Sequence, residues 1–90
     1  MELIAREVLD VLDATTYWSG RQGRIVGVHV EAGAGDCVVT IKEKNASGKV
    51  LYYLTAISGE SNESNISKNF ADGFYCEVDA STDKCLVYIS

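Results

Sequence analysis

From Ile25 to the last residue the chain alternates apolar and polar side chains with a period of two, broken by turn signals roughly every ten residues, and there is no proline anywhere. Successive side chains of a strand point to opposite sides, so this pattern describes strands that each bury one face. In IVGVHVEA, Val26, Val28 and Val30 share one face while Gly27, His29 and Glu31 share the other. In CVVTIKEK, Cys37, Val39 and Ile41 oppose Val38, Thr40 and Lys42. The turn residues Asn45-Ala46-Ser47-Gly48 lead into the β-branched and aromatic run VLYYLTAI, and these three segments are expected to form a meander.

The polar stretch SGESNESNISKN reads as a long loop or a crossing between sheets, with a short strand embedded around Ile66, Lys68 and Phe70. Asp72-Gly73 turns the chain into FYCEVDA, which places Phe74, Cys76, Val78 and Ala80 inward and Tyr75, Glu77 and Asp79 outward. After Ser81-Thr82-Asp83, the closing run CLVYIS is apolar on both faces, which predicts a central strand or one covered by a partner. The expected fold class is all-β, a small antiparallel β-sandwich or jelly-roll-like barrel.

The first residues read differently. Ile4, Val8, Val11 and Leu12 recur at helical spacing, with Glu2, Arg6, Glu7, Asp10 and Asp13 between them, which predicts a short amphipathic helix over 2–12. The competing reading starts a strand near Val8. Thr15 to Trp18, two β-branched and two aromatic residues, reads as strand in either case. The expected organisation is an N-terminal helix or arm over 1–16 and a sandwich domain over 17–90.

Ninety residues suit one domain that buries roughly 60–65 % of its unfolded surface. The formal net charge of −5 and the scattered basic residues argue against direct nucleic-acid binding, which draws its affinity from clustered Lys and Arg. Charges interrupt the amino-terminal apolar residues, so that stretch fits neither a signal peptide nor a membrane span, and no membrane contact or Sec export is expected. The three N-x-S tripeptides at Asn45, Asn62 and Asn65 then read as polar loop residues.

VEAGAGDCVVTI raises the question of a phosphate cradle. A P-loop needs a lysine and a helix start after its glycines, whereas Gly33 and Gly35 are followed by Asp36 and a β-branched strand. The stretch therefore reads as a turn joining two antiparallel strands. His29 has no nucleophile or metal co-ligand in sequence, and Asp72, Asp79 and Asp83 lack the spacing of a calcium loop. Cys37, Cys76 and Cys85 are odd in number and contain no C-x-x-C, so they read as small buried thiols, with a pair meeting across the core left open. An enzyme is the class this chain fits least, and neither a cofactor nor a metal site is expected. Aromatic placement is the remaining signal: Tyr17, Trp18, Tyr53, Tyr75 and Tyr88 form the candidate interface, because tyrosine and tryptophan supply contact area at little entropic cost.

The pieces Gly23 to Val30, Ala32 to Gly35, Val39 to Ile41, Ser47-Gly48, Val50-Leu51, Asp72 to Tyr75 and Leu86 to Ile89 follow one another in an order that resembles small β-sandwich virion proteins of tailed bacteriophages. The resemblance covers roughly residues 17 to 90 and rests on weakly specific motifs. Cys76 stands where the pattern has a branched apolar residue, and the polar insertion from Ser58 to Asn69 is longer than the pattern. The resemblance implies a capsid decoration or cement protein, or a head-fibre component, located in the virion and assembled in the host cytoplasm. Its implied partners are the major capsid protein and other copies of itself, a homotrimer above all. The alternative is a tail-fibre or receptor- and glycan-binding module of the virion, with Trp18 and the loop tyrosines against sugar rings.

Overall fold

The computed structural model describes residues 7–11 and 15–90. Its strands are β1 (Glu7–Asp10), β2 (Thr15–Tyr17), β3 (Gly23–Ala32), β4 (Cys37–Glu43), β5 (Val50–Ala56), β6 (Ser61–Phe70), β7 (Phe74–Val78) and β8 (Thr82–Ile89). They build two four-stranded sheets with the orders β1-β8-β3-β6 and β2-β7-β4-β5. All the pairings are antiparallel. Among the described strands only β4 and β5 form a hairpin; every other connection carries the chain from one sheet to the other. This is the connectivity of an eight-stranded jelly roll, two sheets face to face over one core.

The alternation predicted for β4 and β7 is observed: Cys37, Val39, Ile41, Phe74 and Cys76 are buried, and Val38 and Glu77 are exposed. β8 is central, flanked by β1 and β3; its inward Cys85, Val87 and Ile89 are buried and its outward Leu86 and Tyr88 half-buried. In β3 the register shifts between Ile25 and Gly27 against both neighbours: against β6 the extra residue lies on β6, and against β8 Val26 is the extra residue, a bulge. The extra residue puts Ile25 rather than Val26 into the core cluster beside Val28 and Val30.

Three expectations are corrected. The predicted meander of β3, β4 and β5 does not form, because β3 and β4 lie in different sheets. The polar stretch after β5 is mostly strand: β6 pairs with β3 from Gly23↔Phe70 to Glu31↔Ser61. It lacks alternation because it is an edge strand that buries only Phe70 fully. The helix expected over 2–12 is a strand where it is described, Glu7 to Asp10, paired with Tyr88 and its neighbours on β8; residues 2–6 and 12 lie outside the described residues. Fewer than 12–15 residues make a marginal helix, whereas the open edge of β8 offers a ladder of hydrogen bonds and lets Val11 bury to 2 % exposure.

Hydrogen bonds tie the crossings together at each end of the sandwich. At one end Asp79 Oδ2 accepts from the Val38 amide at 2.9 Å, and its Oδ1 accepts from the Ser81 amide at 3.0 Å and the Thr82 hydroxyl at 3.2 Å. One carboxylate thus joins β4 to the β7–β8 crossing. Asp79→Ala removes all three bonds, and the expected loss is about 2 kcal/mol by urea denaturation, since carboxylate acceptors are worth more than neutral ones; a loss below about 0.5 kcal/mol would show that water replaces them freely.

Candidate functional site

The five aromatic candidates fall in three places. Tyr17 stacks on Phe74 with ring centroids 5.8 Å apart, Phe74 tilts against Phe70 at 5.0 Å, and Trp18 meets Phe70 edge-on at 5.8 Å. The Arg21 guanidinium carbon lies 4.1 Å from the Trp18 ring centroid. Tyr17 and Trp18 therefore help close one end of the core, where chain reversal puts Trp18 at φ 56°. Tyr88 lies on the outer face of the first sheet, in the row Val8, Tyr88, Gly27, Asn65. Tyr53 and Tyr75 lie on the outer face of the second sheet.

That second outer face has a definite composition. Across the strands, Tyr53, Thr40 and Glu77 form one row, and Val50, Lys42, Tyr75 and Thr16 the next. Thr55 and Val38 pair beside them, and Ile57 follows at the end of β5. Tyr53 and Ile57 are each 64 % exposed, Val50 49 % and Val38 39 %. These are four of the five exposed large hydrophobic residues among the described ones, and all four belong to this sheet or to the residue that follows β5. Lys42 Nζ lies 3.9 Å from Glu77 Oε1 and also donates to the Ala46 carbonyl at 3.2 Å. The charges in the middle of this face thereby offset one another.

Sequence reasoning placed Val38 outward but missed Val50 and Ile57 as part of one surface. The available signal was apolar residues at outward strand positions; what was missing was that β4 and β5 are neighbours in the sheet.

The outer face of the first sheet mixes Val8, 51 % exposed, and the half-buried Leu86 and Tyr88 with polar and charged side chains. Its rows run Asp10, Leu86, His29, Glu63 and then Lys84, Glu31, Ser61. His29 Nε2 lies 2.9 Å from Glu31 Oε2, and Nδ1 lies 3.2 Å from Glu63 Oε1, the latter without the alignment of a hydrogen bond. The two carboxylates address opposite ring nitrogens. An ion held by one nitrogen would have the other carboxylate on the far side of the ring, so the trio orients an imidazole rather than chelating a metal.

The glycine-rich stretch is spent on the fold. The Gly33 amide donates to the Ser81 carbonyl at 2.8 Å, the Gly33 carbonyl accepts from the Gly59 amide at 2.9 Å, and Asp36 Oδ1 accepts from the Ser58 amide at 2.9 Å. A Cβ on Gly35 would stand 3.0 Å from the Ser81 hydroxyl. These residues make a close crossing from β3 to β4, between sheets instead of within a hairpin, and the Gly33 amide a phosphate would need is already bonded. Asp72 accepts from the Gly20 amide at 2.7 Å. Asp79 and Asp83 lie with Gly33 and Ser81 at the opposite end of the sandwich, so the three aspartates do not gather.

All three cysteines are free and buried. Cys76 of β7 and Cys85 of β8 both lie fully buried in the core cluster. Hydrogen bonding with Cys85 first, and burial second, push the Cys76 thiol up, while the same interaction holds Cys85 down against the effect of burial. No family model, curated protein or solved structure matches this chain.

Proposed function

We propose that this protein is a bacteriophage virion structural protein of the decoration or cement kind, which binds assembled heads and stabilises them. The observation that carries the reading is the outer face of the second sheet, where Val38, Val50, Tyr53 and Ile57 expose apolar surface around a self-neutralised Lys42–Glu77 pair. Such a face docks on another protein surface without leaving a buried unpaired charge. Many copies on one particle, or an oligomer of this chain, multiply a modest affinity per face into tight attachment. The jelly-roll connectivity supports the same reading at the level of architecture, since viral capsid domains use it, as do lectins and cupins. The resemblance of residues 17 to 90 adds the phage context.

The test is co-sedimentation of the purified protein with empty heads that lack it. Saturable binding at many copies per head, with a rise in the heads' melting temperature, is expected by linkage. Tyr53→Asp is expected to leave the isolated protein's stability within about 0.5 kcal/mol and to weaken head binding at least about tenfold. Copies found only in tail fractions, with saturable glycan binding by the isolated protein, would overturn the head reading in favour of a receptor-binding module.

A further inference from the structure

One end of the second sheet's outer face is not flat. Where β4 begins and β5 ends, the surface dips into a hollow of about 300 Å³ lined by Val38, Thr55, Ala56 and Ile57 together with Asp36 and Asp79. Val38, Thr55 and Ile57 are exposed, so its apolar walls are open to solvent. Backbone amides hold both carboxylates in place: Asp36 Oδ1 accepts from Ser58 and Asp79 Oδ2 from Val38, each at 2.9 Å. Neither carboxylate has an ion-pair partner among the described residues, and no lysine or arginine lines the hollow. By contrast Glu77, in the middle of the face, has Lys42, and Asp72, at the other end of the sandwich, has Lys44.

Apolar walls beside two fixed, uncompensated negative charges select a side chain that has both parts. Lysine and arginine pack an apolar stem on apolar surface and carry a cation at its tip. A free metal ion gains nothing from Val38 and Ile57, and among the described residues no group of three His, Cys, Asp or Glu side chains is placed to hold one. An uncharged aliphatic side chain would cover the carboxylates and leave them unpaired. A second copy of this chain is a poor source of the cation, because copies of formal net charge −5 repel one another and Lys42 of this face already has Glu77. Resting on the reading that this face docks on another protein, we infer that the hollow is a socket for one lysine or arginine side chain of that partner. Its stem lies against Val38 and Ile57, and its cation meets Asp36 and Asp79.

The experiment follows the methyl resonances of Val38 and Ile57 while the tripeptide acetyl-Gly-Lys-Gly-amide is added to the purified protein. Saturable shifts in the millimolar range are expected, and the same peptide with norleucine for lysine should bind at least about threefold more weakly, the scale of an exposed ion pair. Asp36→Asn keeps an oxygen for the Ser58 amide and is expected to remove that preference. Thr55→Lys, at an exposed position, sets the chain's own cation at the rim and should remove it independently. On empty heads, Asp36→Asn is expected to weaken binding at least about tenfold, since the partner's cation is then buried unpaired. No saturable shift, equal binding of the two peptides, or shifts confined to other residues would each overturn the socket. Head binding lost with Tyr53→Asp but kept with Asp36→Asn would overturn it too, while leaving the docking face in place. Self-association of the free protein that Asp36→Asn abolishes would overturn it in favour of a second copy. A lysine preference without any head binding would instead overturn the head reading and leave the socket standing.

Discussion

Replacing Phe74 with alanine is expected to cost about 4 kcal/mol of folding stability, measured by urea denaturation, within the range seen when large aromatic side chains are deleted from cores. Phe74 is 0 % exposed and the largest fully buried side chain among the described residues. It stands between Tyr17 of β2 and Phe70 at the end of β6, so it joins an edge strand of each sheet through one ring. Deleting it empties the centre of the aromatic cluster, and Trp18 loses its footing because Phe70 is no longer held. A domain of this size has roughly 5–10 kcal/mol in hand, so much of the protein should unfold near physiological temperature. Phe74→Leu keeps most of the volume and should cost only about 1.5 kcal/mol. A loss under about 2 kcal/mol for the alanine variant would show that the two edges are not held together through this ring.

The second large effect is expected at Gly73, and a matched glycine makes it interpretable. Gly73 has φ 69°, and a Cβ there would stand 2.7 Å from the Tyr17 carbonyl oxygen and 2.9 Å from that of Trp18. These are backbone atoms of the β2–β3 crossing and cannot swing aside. The Gly73 amide also donates to the Arg21 carbonyl at 2.7 Å, so the close approach is what joins this crossing to the one between β6 and β7. Gly59 has nearly the same backbone angle, φ 75°, with nothing within 4 Å of its Cβ position. Gly59→Ala therefore measures the left-handed backbone cost alone, about 1 kcal/mol. Gly73→Ala adds the clash and the disrupted hydrogen bond, for about 3 kcal/mol in total. Equal losses at the two positions would mean that the crossings separate without cost and that the contact at Gly73 does not hold this end of the sandwich.

Both residues were legible only in part. The pattern FYCEV marks Phe74 as inward, and Asp72-Gly73 as a turn, because alternation and turn chemistry are properties of a few consecutive residues. That Phe74 meets Tyr17, fifty-seven positions earlier, and that Gly73 lies against the Tyr17 carbonyl, are facts about which strands are neighbours. The same division runs through the candidate surface. Val38 and Tyr75 could be placed outward from their own strands, yet only the pairing of β4 with β5 and β7 puts Val38, Val50, Tyr53 and Tyr75 on one face. Tyr17 and Trp18 were candidates on aromatic character alone, a property that serves a core as well as an interface; the end of the sandwich uses them to close over Phe70 and Phe74.

By itself the sequence determined the all-β class and the alternating faces of β4 and β7. Each of these follows from the period-two placement of apolar residues along one segment. Only the tertiary structure decided the rest: the jelly-roll order, the bulge at Val26, the strand at Glu7–Asp10 and the long polar strand β6. A strand that buries little carries little pattern, and a crossing between sheets has the same turn residues as a hairpin. What separates them is which unpaired edge lies close enough to complete a hydrogen-bond ladder, and that is known only once the distant segments have come together.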